Sequence, residues 1–161
     1  MALIIVSLLM LPFVLYFLHV RMFNSNGEIL RAWSKIYDNI DPLIGEAEAT
    51  LLALSKASDL KLTNLMLLDD CATVIESILL SQLGGPSCDS LLPWKIASII
   101  LSLHQFILGI SFFSSSKIPR AENSAAHSLA AWMAAHSVSG DIPVSFLLNR
   151  GLWKYNGAKP P

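Results

Sequence analysis

Gly45–Cys71 reads GEAEATLLALSKASDLKLTNLMLLDDC. Ala47, Leu51, Leu54 and Ala57 recur at i, i+4, i+7 and i+10, and so share one face of a helix from about Ile44 to Leu60. Glu48, Ser55 and Lys56 lie off that face. Leu62-Thr63-Asn64 turns the chain. Leu65-Met66-Leu67-Leu68 is a continuous apolar run, as expected of a strand covered on both faces in a parallel arrangement. Glu46 opens the helix and Asp70 closes the strand. A packed helix and strand that bring two acids together form a candidate metal site. Each acid also has an ordinary reading: Glu46 as a favourable charge at a helix N-terminus, Asp70 as the N-cap of the next helix.

Downstream, a second helix runs from about Cys71 to Gln82 and buries Val74, Ile75, Ile78 and Leu79. Leu83–Asp89 is a loop. A third helix opens at Ser90 or Leu92, with Pro93 in the tolerated first turn, and packs through Trp94, Ile96, Ile99, Ile100 and Leu103. Phe106–Phe113 (FILGISFF) reads as another buried strand, broken by Ser114–Lys117 and Pro119. The last helix, Glu122 to about Ser137, packs Ala126, Leu129, Trp132 and Met133. The tail beyond Gly140 is expected to be loosely attached or partly disordered.

Upstream, Ala2–Val20 is an almost uncharged run of nineteen residues. As a helix it would be roughly 28 Å long, close to the hydrocarbon thickness of a bilayer. Arg21, Arg31 and Lys35 would then place the following chain in the cytoplasm. No Lys or Arg precedes the run and no small-residue cleavage site follows it, which argues against a signal peptide. A competing reading splits the run at Pro12. Phe13–Met22 is then a buried strand, Asn24-Ser25-Asn26-Gly27 a hairpin turn with positive φ at Asn-Gly, and Glu28–Tyr37 the return strand. Residues 1–12 stay open between a membrane anchor and an extra strand.

The 161 residues suffice for one domain with a real core. Hydrophobic residues make up 53% and charged residues 14%, an apolar balance whose excess sits in the first twenty positions. The net charge of −1 lacks the broad basic face of a non-specific nucleic-acid binder, though a local patch is compatible with it. Cys71 and Cys88 show neither metal-ligand nor disulfide-framework spacing, and read as free thiols in a reducing compartment. No phosphate-cradling glycine loop or nucleophile with a base partner is visible. Hairpin, helix, strand, helix, helix, strand, helix is the order of a three-layer α/β domain.

Three segments in this order carry a resemblance: SNGEILRAWSK (Ser25–Lys35), GEAEATLLALSKASDL with LMLLDDC (Gly45–Cys71), and IPRAENSAAHSLAAW (Ile118–Trp132). The chain resembles the ribonuclease H-like domain of many plant proteins related to retroelement reverse transcriptases. The resemblance implies a ribonuclease H-like three-layer fold with a mixed sheet, its first strand missing or replaced by Met1–Pro12. It divides the chain into an apolar segment (1–20), a ribonuclease H-like domain (21–138) and a tail (139–161).

The family's activity is hydrolysis of the RNA strand of an RNA–DNA hybrid by two divalent ions, usually Mg2+, held by four carboxylates. Hard cations want this density of oxygen, and two of them suit an in-line displacement. The resemblance places Glu46 and Asp70 at two of the four positions. Glu48 is excluded by helix register, and Asp69 by the strand pleat, which turns it to the opposite side. The first acid is absent, because no Asp or Glu precedes Glu28. His127 stands in place of the fourth as a third candidate metal ligand; a neutral imidazole can ligate transition metals but is a poor Mg2+ ligand. Arg120 and Asn123 match positions implied to contact nucleic acid.

Hydrolysis, supported by Mg2+ or Mn2+, is therefore expected to be weak or absent. The implied partner is an RNA–DNA hybrid or RNA. The alternative is a non-catalytic module tethered to a membrane through residues 2–20, or a truncated retroelement-derived copy.

Overall fold

The structure, a computed structural model, describes residues 1–10, 15–38, 41–83 and 91–149. The elements are β1 (Ala2–Met10), β2 (Leu15–Phe23), β3 (Ile29–Asp38), α1 (Pro42–Asp59), β4 (Asn64–Asp69), α2 (Ala72–Leu83), α3 (Ala97–Leu108), β5 (Phe112–Lys117), α4 (Ser124–His136), β6 (Gly140–Ile142) and α5 (Val144–Asn149). One mixed sheet runs β5-β4-β1-β2-β3-β6.

The apolar N-terminal run is two strands, not a membrane span. β1 lies at the middle of the sheet, antiparallel to β2 (Ile4↔Met22) and parallel to β4 (Ile4↔Leu67). A strand with neighbours on both sides and helices on both faces has no solvated side, so its sequence is apolar throughout. That is why Ala2–Val20 imitates a transmembrane segment. Among the described residues no helix is long and apolar enough to cross a membrane. Ala2–Met10 thus supplies the strand that the resemblance left missing or replaced; what that strand lacks is an acid.

The β2–β3 hairpin is closed by Asn24, whose Oδ1 accepts the Asn26 and Glu28 N–H groups at 2.9 and 3.0 Å. Positive φ is needed only at Gly27 (+77°), not at both Asn26 and Gly27.

Side chains alternate between two cores. On one face Ile4, Val6, Leu18, Val20, Met22, Leu65 and Leu67 pack beneath α1, α2 and α3. On the other, Leu3, Ile5, Phe23, Ala32 and Leu68 meet Met133 of α4 and Leu147 of α5. α1 approaches the sheet through Ala47, Ala49, Ala53 and Ala57, all fully buried. Small side chains let the helix axis come close.

Four expectations shift. Helix α3 begins at Ala97, leaving Pro93 in a preceding turn, and Trp94 is 84% exposed rather than core. Phe106-Ile107-Leu108 closes α3 instead of opening a strand, since Ile100, Leu103 and Ile107 continue its buried stripe. A short apolar run does not distinguish a helix end from a strand. The strand falls on Phe112–Lys117, including the serines expected to break it. The described part of the tail, as far as Asn149, is attached: β6 pairs with β3 (Ala32↔Ile142) and Leu147 is fully buried; residues 150–161 lie outside the described residues. Cys71 is free, and Cys88 lies outside the described residues.

Candidate metal site

Helix α1 starts earlier than its periodicity suggests. Asp41 caps it, accepting the Leu43 N–H at 3.0 Å, and Pro42 takes the first helical position, where a missing N–H costs nothing. Glu46 therefore lies in the second turn, beyond the reach of the helix terminus that would explain it as a favourable end charge. Its side chain is largely buried, and Oε2 has no hydrogen-bond partner among the described residues. Burial pushes its carboxyl up to about 9. The charges of Asp69 and Asp70 push the same way, and Arg120 opposes them. Glu48 points elsewhere and accepts the Tyr37 hydroxyl at 3.0 Å.

Asp69 and Asp70 end β4 with different duties. Asp69 is fully buried. Its Oδ1 accepts the Cys71 N–H at 2.8 Å and its Oδ2 lies 3.1 Å from Thr50 Oγ1 on α1. Asp69 thus leads the chain into α2, the role that the capping argument gave to Asp70. Burial pushes its carboxyl up to about 7 against the hydrogen bonds from Cys71 and Thr50. Thr50 Oγ1 also lies 3.1 Å from the Glu46 carbonyl. A hydroxyl has one proton to give, so Thr50 shares it between the Glu46 carbonyl and Asp69 Oδ2.

Asp70, half buried, accepts from Asn123 Nδ2 at 2.7 Å, and the same Nδ2 lies 3.0 Å from the Val6 carbonyl of β1. Asn123 is held by a turn after β5, its N–H directed at the Pro119 and Arg120 carbonyls. It is fully buried, so it presents Asp70 with a donor and presents no surface to a duplex. Arg120 is exposed at the rim. His127 falls in the first part of α4, and its side chain lies outside the described residues.

Glu46, Asp70, Arg120 and Asn123, singled out from the sequence, are therefore neighbours at one end of the sheet. Sequence reasoning missed Thr50 and the use of Asp69. The one available signal is a threonine four residues after Glu46, between the alanines of the buried stripe. Burial pushes the Cys71 thiol up to about 11, which leaves it inert beside these acids.

The orphaned, buried Glu46 Oε2 beside two further carboxylates fits a hard cation. Among the described residues no three His, Cys, Asp or Glu side chains converge on one metal position.

The fold is that of ribonuclease H. Ribonuclease H1 of the halophilic archaeon Halobacterium salinarum NRC-1 superposes with a TM-score of 0.63 at 14% identity, over 76% of this chain and 89% of the other. The LC11 ribonuclease H1 in complex with an RNA/DNA hybrid gives 0.58 at 15% identity, over 76% and 88%. The prototype foamy virus protease–reverse transcriptase gives 0.61 at 17% identity, over 84% of this chain and 20% of that larger one. No curated protein sequence matches the chain. Residues 19–133 match the reverse transcriptase-like family, and the chain belongs to that family.

Proposed function

We propose that this chain is a ribonuclease H-like domain that binds nucleic acid, an RNA–DNA hybrid above all, and holds a divalent ion weakly through Glu46 and Asp70. Hydrolysis of the RNA strand is weak or lost. The single observation behind this reading is the largely buried Glu46 carboxyl with an unpartnered oxygen, set against Asp69 and Asp70. Acids forced together in this way repel one another, and a cation relieves the repulsion. Ribonuclease H structures with an RNA/DNA hybrid and a foamy virus enzyme with double-stranded DNA share the fold, which supports the partner class. The three resembling segments support the plant branch of the family.

When bound, Mg2+ or Mn2+ would neutralise charge on a phosphate. Glu46 and Asp70 would hold it, Asn123 would fix the Asp70 rotamer, and exposed Arg120 would meet the nucleic-acid backbone. The weakness follows from what is absent. β1 carries no acid to bridge two ions, and an imidazole at His127 does not replace a carboxylate for Mg2+.

Fluorescence anisotropy of a labelled hybrid, titrated with the full chain at several salt concentrations, tests the partner. The expected result is micromolar binding that weakens with salt, strengthens with Mn2+ and loses the Mn2+ effect in Asp70→Asn. Equal binding with and without the ion, or none to any duplex, would contradict the reading.

A further inference from the structure

We infer that Thr50 and Asp69 are positioning residues that set how far Glu46 stands from Asp70. The inference rests on the reading of those two acids as the ligands of one ion. Glu46 and Asp70 belong to different elements. Their separation depends on where α1 sits along the end of β4. The contact face of α1 is built of Ala49, Ala53 and Ala57, all fully buried. Alanines fix how close a helix lies to a sheet. Leu54, also fully buried, interlocks with the core, and a directional hydrogen bond adds to what fixes the helix along its axis.

Among the described residues the Thr50–Asp69 contact is the one hydrogen bond between α1 and β4. It is placed to transmit position in both directions. Thr50 stands one turn after Glu46, and its Oγ1 reaches the Glu46 carbonyl itself. Asp69 adjoins Asp70, and its second oxygen holds the Cys71 N–H on the other side. The clamp therefore runs from the backbone of one ligand to the turn that carries the other.

Both clamp residues are fully buried, so no water substitutes for the lost partner when one is removed. Both Asp69 oxygens are committed to these bonds, whereas Glu46 Oε2 has no partner among the described residues.

The test compares the full chain with Thr50→Ser, which keeps the hydroxyl, with Thr50→Val, which keeps the shape, and with the double variant Thr50→Val/Asp69→Leu. Replacing both partners removes the clamp without stranding a buried carboxylate, and so guards against a variant that merely unfolds. Two readouts are taken: Mn2+ affinity, from the electron paramagnetic resonance signal of the free ion, and the titration of the Glu46 carboxyl by carbon-13 NMR without metal.

Thr50→Val and the double variant are expected to bind Mn2+ about tenfold more weakly, the usual scale for losing a residue behind a metal ligand. In Thr50→Val the Glu46 titration moves toward the ordinary carboxylate range; the double variant is read by Mn2+ affinity alone, because deleting Asp69 also deletes a charge that pushes Glu46 up. Thr50→Ser stays within about twofold in Mn2+ affinity, too small a loss for a broken clamp. If the parent chain binds Mn2+ and all variants match it in Mn2+ affinity, with Thr50→Val matching it in the Glu46 titration as well, the positioning role is wrong. If the parent chain binds no Mn2+ while the Glu46 titration still separates Val from Ser, the ion-binding reading fails and the clamp stands.

Discussion

The two faces of the sheet are built to different standards. Under α1, α2 and α3 the core is larger and mostly apolar, and Asp69, the one fully buried acid among the described residues, has a bond on each oxygen, while Glu46 Oε2 has no partner among them. Under α4 and α5 the core is smaller and includes His19 and Arg21 of β2, both fully buried. Neither His19 ring nitrogen has a hydrogen-bond partner among the described residues, nor do Arg21 Nε and Nη1. Arg21 lies 5.5 Å from the Phe23 ring centroid, a contact that only partly replaces hydration. Burial lowers the Arg21 guanidinium to about 10 and the His19 imidazole well below its ordinary range. Glu46 and Asp69 lie on α1 and at the end of β4, joined through Thr50.

The largest effect expected is on the better-packed face. Ile100→Ala should destabilise the chain by about 3 kcal/mol, the range for deleting a fully buried branched side chain. Met133→Ala beneath α4 should cost less, about 2 kcal/mol, because the smaller core relaxes more readily. Chemical denaturation compares them, and equal or reversed costs would break the contrast between the faces.

Arg21→Met sharpens the comparison in the opposite direction. An apolar side chain of similar reach removes a buried cation with unmet donors, and is expected to stabilise by about 1–2 kcal/mol. A loss of stability would mean that Arg21 is paired more fully than its burial suggests.

Glu46→Gln gives the smallest change in stability and a distinctive pH dependence. The folded chain without metal holds the Glu46 proton up to about 9, whereas an unfolded glutamate releases it near its ordinary 4.5. That contribution is fully present below the unfolded value and is lost as pH rises through the folded one. The parent chain should therefore lose stability between pH 5 and pH 9 by about 1 kcal/mol or more, and the Gln variant should show a flatter profile. Mn2+ should restore stability to the parent at high pH and leave the variant unchanged. Urea midpoints across pH measure both.

The fold was legible where one pattern had one interpretation. The stripe of α1, the four-residue run of β4 and the Asn-Gly turn placed their elements within a few residues. It was not legible where burial erases pattern. β1 is covered on every side and so reads like a membrane span, and the end of α3 reads like a strand because both are apolar. Trp94 was mistaken for core because composition does not say which way a turn points. At the site, helix register separated Glu46 from Glu48, and the strand pleat separated Asp70 from Asp69. The tasks of Thr50, Asp69 and Asn123 depend on contacts between elements 19 to 117 residues apart, which spacing along the chain does not reveal.

The most direct measurement is cleavage of an RNA–DNA hybrid duplex by the purified chain in Mg2+ and in Mn2+, with Asp70→Asn beside it. Turnover is expected far below the roughly 1–1000 per second of ordinary enzymes, with any residue of activity greater in Mn2+ and absent from the variant. Turnover within that ordinary range in Mg2+ would show that the site is complete without an acid on β1, and would contradict the account.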